Sequence, residues 1–438
     1  MKHRLRHDVN LWIIPLKMGI GAVVLFALTM IPDTMAAYNL VHIPTWFSMG
    51  GIDDARAILS AMMGCVSTVL ALIFSVALLV LSMVATLFGP RLLYRFVQDW
   101  VTQATIGLFM AAFIYVFLVF LVTHQDANST FIPQVSLITC WVLVLAAFSF
   151  LVFYSHRIAV SIQNPDAIAR ITEDFRQALC LSARSLAGSD VCEPMTIKVA
   201  EQQMKDGAPV KSAKGGYLQI IEHEALLEAA EHSNAVIHFL FRPGQFVLSG
   251  EALAIVWPKS QLGEFPKLIE KNVRIGRHRV LSQDSEFGIA QIVEIAIRAL
   301  SPAVNDTFTG VACVDYLGEA IIMLSEMPQS GSWYDSRGQI RLLEREVKIS
   351  RMVKLAFDQI RQSAADNPAV LIRMLAIIGR VAPRLKNADE NAALLEQAQA
   401  IMETAMTKNP VAMDRKDIEA AWERTREILS EEKECRQS

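Results

Sequence analysis

Residues 57–90 read AILSAMMGCVSTVLALIFSVALLVLSMVATLFGP, a run of 34 residues without a charge. A bilayer core of about 30 Å takes about 20 apolar residues as a helix. This run therefore crosses a membrane and either tilts or projects beyond it on one side. Small and hydroxylated residues recur along it at Ser60, Gly64, Ser67, Ala71, Ser75, Ser82 and Gly89. Spacings of three, four and seven put them on one helical face. In lipid such a face serves as a close seam between helices, because small residues let backbones approach. In an oligomer it can instead form a hydroxyl-lined pore wall.

Working outward, three more stretches are long and apolar enough to span. The four predicted spans are about 12–31, 60–88, 102–123 and 134–154. Residues 1–154 hold 13 of the 85 Lys, Arg, Asp and Glu residues. The other 72 fall in 155–438, about a quarter of that segment, as in an ordinary soluble domain. An apolar N-terminal third thus precedes a soluble remainder. This excludes a wholly soluble enzyme, a secreted disulfide scaffold and a disordered chain. The net charge is −3; seven Lys/Arg against six Asp make residues 1–154 net +1, so the remainder is −4. A mildly acidic domain has no electrostatic footprint for nucleic acid.

Flanking charge orients the spans. Lys2, Arg4 and Arg6 precede the first, Arg91 and Arg95 lie between the second and third, and Arg157 and Arg170 follow the fourth. The intervening loops carry Asp33, Asp53 and Asp54 against Arg56, and then Asp126 alone. This alternation predicts both termini and the whole C-terminal part in the cytoplasm. Lys17 is the one ionisable residue read inside a span, which argues against a proton-coupled transporter. Phe287–Leu300 is apolar but only 14 residues long, with Glu294 and Arg298 one turn apart, and suits a buried helix of a soluble domain better than a fifth span.

The expected fold is an α-helical membrane domain with four transmembrane helices, followed by a cytoplasmic α+β domain. Its parts are a transmembrane domain at 1–155, a connecting helix and linker at 156–214, a small β-rich module at 215–260 and a helical domain at 261–438. In the module, strands are expected at 217–221, 235–241 and 253–257, with a helix at 224–232 and a turn at Arg242-Pro243-Gly244-Gln245. The stretch 243–253 is similar to the hairpin of biotinyl/lipoyl-type modules, but no Lys lies between Lys214 and Lys259, so no swinging arm is expected. Helices are expected over 284–300, 307–327, 349–363, 367–381, 390–408 and 413–431, with caps at Asn305-Asp306 and at Asp366-Asn367-Pro368.

Four blocks of residues carry a family resemblance. The first is Ser75 and its span with Pro90-Arg91-Leu92-Leu93, Phe96, Asp99 and Gln103. The second is Gly216-Tyr217, Arg242-Pro243-Gly244 and Val256-Trp257-Pro258. The third is Ile275-Gly276-Arg277, Gln283-Asp284 and Phe287-Gly288. The fourth and sharpest is Arg298-Ala-Leu-Ser-Pro-Ala-Val-Asn-Asp306 with Phe308-Thr309. Together they resemble the bacterial family of predicted membrane proteins known as domain of unknown function twenty-two fifty-four. The family pattern usually has Pro after the Asn-Asp pair, where this chain has Thr307. The resemblance implies a multi-pass protein of the bacterial envelope and no assigned activity; the expected location is the bacterial inner membrane.

Two sets of candidate site residues follow. One is the stripe Ser60, Gly64, Ser67, Ala71, Ser75 and Ser82. The other is Arg274, Arg277, Arg279 and Arg298 with Asn305, Asp306 and Thr309 at a helix start. Guanidinium groups bind phosphates and carboxylates bidentately, so this set would hold a small anionic ligand or form a structural network with Asp284, Glu286 and Glu294. In either case Asn305 and Asp306 are expected to pair with the arginines of 274–279. His223-Glu224 has Leu227 where a zinc-protease motif needs its second His, so no metal is expected. Cys65, Cys140, Cys180, Cys192, Cys313 and Cys435 include no C-x-x-C pair. No catalytic motif and no cofactor fingerprint is present, so no enzyme is expected. The expected function is a homo-oligomeric, channel-like protein of the lipid bilayer, regulated by its cytoplasmic domain. The alternative is a non-conducting scaffold or sensor that binds a small anion or a protein partner.

Overall fold

The computed structural model describes residues 13–38, 51–88, 100–124, 132–162, 172–179, 207–327, 331–335, 337–345 and 347–437. The chain forms two compact units, 1–164 and 165–438.

The first unit is helical: α1 (Ile13–Ala37), α2 (Ile52–Phe88), α3 (Trp100–His124) and α4 (Gln134–Ile162). The central helix is α3, which packs against all three others. Val101, Phe109, Ala112, Tyr115, Val116 and Val119 of α3 are buried in this core. The backbones of α1 and α3 approach closely where Gly107 meets Pro15 and Met18; a Cβ on Gly107 would lie 2.6 Å from the Met18 sulfur. Helix ends are closed by tertiary contacts. Arg56, at the start of α2, donates twice to the Thr123 carbonyl at the end of α3, at 3.0 and 2.8 Å. The carboxylate of Asp33, near the end of α1, accepts from the Val135 and Ser136 amides at the start of α4. The end of α1, the start of α2, the end of α3 and the start of α4 therefore meet at one side, and successive helices alternate in direction.

Helix α2 is continuous over 37 residues. At 1.5 Å per residue it is about 55 Å long, well beyond a bilayer core. Helix α1 runs past the expected end at Ile31 and contains Pro32 and Asp33. Asp33 is therefore helical, not in a loop, and is 1% exposed.

The second unit combines two sheets with packed helices. Its elements are β1 (Ala208–Lys211), β2 (Gly216–Ile221), α5 (His223–His232), β3 (Val236–Phe239), β4 (Phe246–Val247), β5 (Ala252–Trp257), α6 (Phe265–Asn272), β6 (Val273–Gly276), α7 (Ser285–Ala299), α8 (Thr307–Glu326), β7 (Ser332–Tyr334), β8 (Ile340–Leu343), α9 (Ile349–Ser363), α10 (Pro368–Val381), α11 (Ala388–Thr407) and α12 (Ala412–Gln437). One sheet has five strands in the order β1-β5-β3-β8-β7; the other has three in the order β4-β2-β6. Only β3–β8 is parallel among the described pairs. Leu218, Ile221, Leu226, Ile237, Phe239 and Phe265 fill the core around the sheets.

Strands are not confined to 215–260. β1 precedes that range, while β6, β7 and β8 come from the segment read as helical. The stretch 243–253 is not a simple hairpin either: β4 pairs with β2, whereas β5 pairs with β1 and β3. Its turn carries the chain from one sheet to the other.

Each expected helix after 284 is present. The apolar segment 287–300 lies in α7, which packs against α8 and α9, and Asp284 caps it by accepting from the Phe287 amide. Among the described residues, the next helix is the one long and apolar enough to be a fifth span. Thr307–Glu326 joins Ile13–Ala36, Ile52–Leu79, Trp100–Thr123 and Gln134–Arg157 as a candidate. The chain thus has a helical N-terminal region with four or five candidate membrane helices, followed by a part built of strands and helices.

Candidate functional site

The two sets of candidate residues lie in different units. The first, on α2, turns away from the chain's own bundle. Buried positions on α2 are Ala55, Leu59, Met62, Val66 and Ile73. Ser60, Gly64, Ser67, Ala71, Ser75 and Ser82 are exposed on the far side of the helix. A Cβ built on Gly64 meets no atom within 4 Å. The seam within the bundle is therefore made by large apolar residues on α2 and by glycines on α1 and α3, not by the stripe. Thr68 and Ser75 donate their hydroxyls to the carbonyls of Gly64 and Ala71, at 2.8 and 3.0 Å. Gly89, the last stripe position, and the block Pro90 to Asp99 lie outside the described residues.

The second set does not assemble as one pocket. Arg279 makes a two-pronged pair with Asp284, at 2.7 and 2.8 Å, beneath a turn where Gly244 has φ +91°. No side chain fits at Gly244, since its Cβ would overlap the Asp284 carboxylate. Burial opposes the Arg279 charge, but Asp284 and Glu286 more than offset it and raise its pKa. Burial also raises the Asp284 pKa, against the pull of Arg279. Glu286 accepts from Arg242 and from Arg351, the latter at 2.6 Å. Arg298 pairs with Glu294 at 3.1 Å. Arg274 and Arg277 are exposed and form no ion pair among the described residues.

Asn305 and Asp306 do not pair with arginines 274–279, contrary to expectation. Asn305 takes the left-handed conformation, φ +50°, which Asn tolerates better than most residues. Asp306 then caps α8 by accepting from the Thr309 amide at 3.0 Å and hydroxyl at 2.6 Å. These bonds hold its carboxyl below the usual carboxylate range. Their contribution is present above the ordinary Asp pKa and fades as pH falls through the lowered one. A helix cap is worth about 1 kcal/mol, less than the partner of a buried arginine. Asp284, at the start of the adjoining helix, takes Arg279 instead, while Arg274 and Arg277 meet no carboxylate among the described residues. Thr307 stands at the first helical position, and its hydroxyl accepts from the Asn367 side-chain amide at 2.7 Å. The sharpest motif therefore joins the starts of α8 and α10.

The third block is structural as well. The Gln283 side chain accepts from the Ile221 amide and donates to the Ile221 carbonyl, at 2.9 and 3.0 Å. Gly288 lies against Phe175, with 2.2 Å to a would-be Cβ.

Two features escaped the sequence reading. His223 pairs with Glu344 at 2.6 Å and stacks on Trp333 at 4.3 Å, a contact made by a hairpin distant in sequence. Asp33 belongs to a polar cluster in the first unit, where Thr29 bonds Tyr115 at 2.6 Å and Ser136 donates to Asp33 at 2.7 Å. No group of three or more His, Cys, Asp or Glu suited to a metal occurs among the described residues. Cys313 is buried, and burial pushes its thiol pKa up to about 12.

Comparison with known proteins adds a family. The one described as "Predicted membrane protein (DUF2254)" matches residues 9–380. Similar proteins include Uncharacterized protein Mb1321c of Mycobacterium bovis and Uncharacterized protein Rv1290c of Mycobacterium tuberculosis. Each is 26% identical over 433 residues, covering 95% of this chain and 80% of the relative. No solved structure matches.

Proposed function

We infer a function from the premise that the chain belongs to the DUF2254 family of predicted membrane proteins. It is a homo-oligomeric, channel-like protein of the bacterial inner membrane, in which the stripe of α2 faces its copies around an axis. The observation that carries this reading is the outward exposure of Ser60, Gly64, Ser67, Ala71, Ser75 and Ser82. A small, hydroxylated face gains little from acyl chains, whereas the same helix presents Leu72 and Leu79 to one side as ordinary lipid contacts; one large residue, the exposed Leu78, interrupts the stripe between Ser75 and Ser82. Asp53 and Asp54 in the first turn of α2 would form an acidic ring that concentrates cations. No catalytic role is assigned, and the second unit acts as the regulatory part.

The test is subunit number together with conductance in planar bilayers. The wild type should be a symmetric oligomer that conducts, and Ser75→Leu should change conductance or abolish it. A monomer, or an oligomer that conducts nothing, removes the pore. One observation favours the non-conducting alternative: the Thr68 and Ser75 hydroxyl protons are already donated to backbone, as in a packing seam. Their lone pairs remain available to cations.

Four spans with both termini cytoplasmic belong to this reading. Helix α8 is apolar because it is a core helix: Cys313, Val314, Leu317, Ala320 and Ile321 are buried, and Gly318 lies against Ile377. A reporter fused after Gln125 should be periplasmic, and one fused after Glu326 cytoplasmic. A periplasmic signal from the second fusion would sink the four-span arrangement.

A further inference from the structure

Two edge strands and a helix enclose a cleft in the second unit. β1 is the outer strand of the five-stranded sheet, β6 is the outer strand of the three-stranded sheet, and α6 packs on both. The space between them is about 390 Å³, within the size range of small-molecule sites. Its apolar lining is Ile220 and Ile275, which are half-buried, over Val210, Leu253 and Ile269, which belong to the buried core. Its charged surface holds Lys211, Lys214, Lys267, Lys271 and Arg274 against Glu222 and Glu270. Five cations less two carboxylates make the lining +3, inside a segment, 155–438, that is −4 overall.

Cations without an ion pair also occur elsewhere in the unit, at Lys259, Arg277 and Arg380 among the described residues, but these five line one cleft. Arg279, Arg341, Arg373 and Arg384 each face a carboxylate at 2.6–2.8 Å. None of the five cleft cations makes an ion pair among the described residues. Lys267 and Lys271 lie one turn apart on α6, a like-charge spacing that weakens a helix. These exposed charges repel one another weakly through solvent, and a bound anion would relieve that repulsion. A net +3 calls for more than one negative charge, so a monocarboxylate leaves most of it unanswered. Arg274 offers two parallel donors to a phosphate, and the lysines offer point charges. The apolar surface takes a body that is not charged.

We propose that this cleft binds a small organic diphosphate, with its phosphates among Lys211, Lys214, Lys267, Lys271 and Arg274 and its uncharged body on the apolar surface. Of the arginines expected from the sequence to bind an anion, only Arg274 is part of this site. The site is independent of any pore, because binding is read on the protein without conductance.

The experiment is calorimetric titration of the detergent-solubilised full chain with ADP, inorganic pyrophosphate and glycerol phosphate. ADP should bind most tightly, and its binding should weaken with added salt. Pyrophosphate should bind more weakly because it lacks the body. Glycerol phosphate, which carries the chemistry of a lipid headgroup, should be weakest because it has one phosphate. The exposed pair Lys267→Glu with Arg274→Glu should lose at least about tenfold in ADP affinity, and Lys214→Glu alone should lose less, both with unchanged thermal unfolding. If neither ADP nor pyrophosphate binds, or if the variants bind ADP like wild type, the site is overturned. Equal binding of ADP and pyrophosphate removes the role of the apolar surface. Equal binding of glycerol phosphate removes the diphosphate.

Discussion

Asp335→Ala is expected to destabilise the second unit by about 3–5 kcal/mol. The Asp335 side chain is 0% exposed and that of Arg341 6%, and the two meet at 2.7 Å. The other Asp335 oxygen accepts from the amides of Arg337 and Gln339, both at 2.9 Å. Arg341 also reaches the Gln339 side chain at 2.8 Å. Removing the carboxylate strands a buried guanidinium and two backbone donors. Replacing both partners by apolar residues, Asp335→Leu with Arg341→Met, should recover most of the loss, since a buried pair contributes little net beyond avoiding an uncompensated charge. Thermal and denaturant unfolding of the purified full chain decides it. An Asp335→Ala protein that unfolds like wild type would show that water reaches Arg341 freely.

The same pair gives a pH dependence. Burial alone would raise the Asp335 pKa, but the Gln339 and Arg337 amides and the Arg341 guanidinium hold it below the usual carboxylate range. The sign follows: its stabilisation is present above the unfolded pKa, about 3.9, and is lost as pH falls through the lowered folded value. The gap between wild type and Asp335→Ala should therefore narrow in acid.

This hairpin also shows why part of the fold was illegible in the sequence. β7 and β8 are three and four residues long, too short for a period to emerge. All four β8 residues, Ile340 to Leu343, are buried, so there is no alternation to read, and one of them is an arginine. The parallel partner of β8 is β3, about a hundred residues earlier. Helices after 284 were legible from their apolar periodicity, and α7, α8, α10 and α11 also bring caps at Asp284, Asp306, Asn367 and Asn387, whereas α9 starts after Lys348 without one. The arginine network was half legible: charges clustered in sequence, but the partner of Arg279 is Asp284, whose position depends on the turn at Gly244. The basic cleft was not legible at all, because its lysines come from β1, the following turn and α6. The stripe on α2 was legible as a face, but only the fold reveals that it points away from α1, α3 and α4.

The first unit offers the second large effect. Asp33→Ala should destabilise the helical bundle by at least about 3 kcal/mol, from the loss of three hydrogen bonds to one buried carboxylate. Those bonds come from the Val135 amide at 2.8 Å, the Ser136 amide at 3.0 Å and the Ser136 hydroxyl at 2.7 Å. A helix start leaves its first amides without partners, and in lipid an unmet amide costs several kcal/mol. The sequence reading placed Asp33 in the loop between the first two spans, yet it lies in α1 and acts as a cap supplied to α4. Asp33→Asn keeps an acceptor and should fall between wild type and alanine. The measurement is unfolding of the full chain in mixed detergent micelles, read by helix content. If Asp33→Ala matches wild type, water already serves the start of α4 and the bundle needs no such staple. If it behaves as expected, α1, α3 and α4 form a fixed wall. Helix α2, held chiefly by α3 along the face of Leu59, Met62 and Val66, is then the element of the bundle with the fewest ties, and in the proposed oligomer it is the one free to shift.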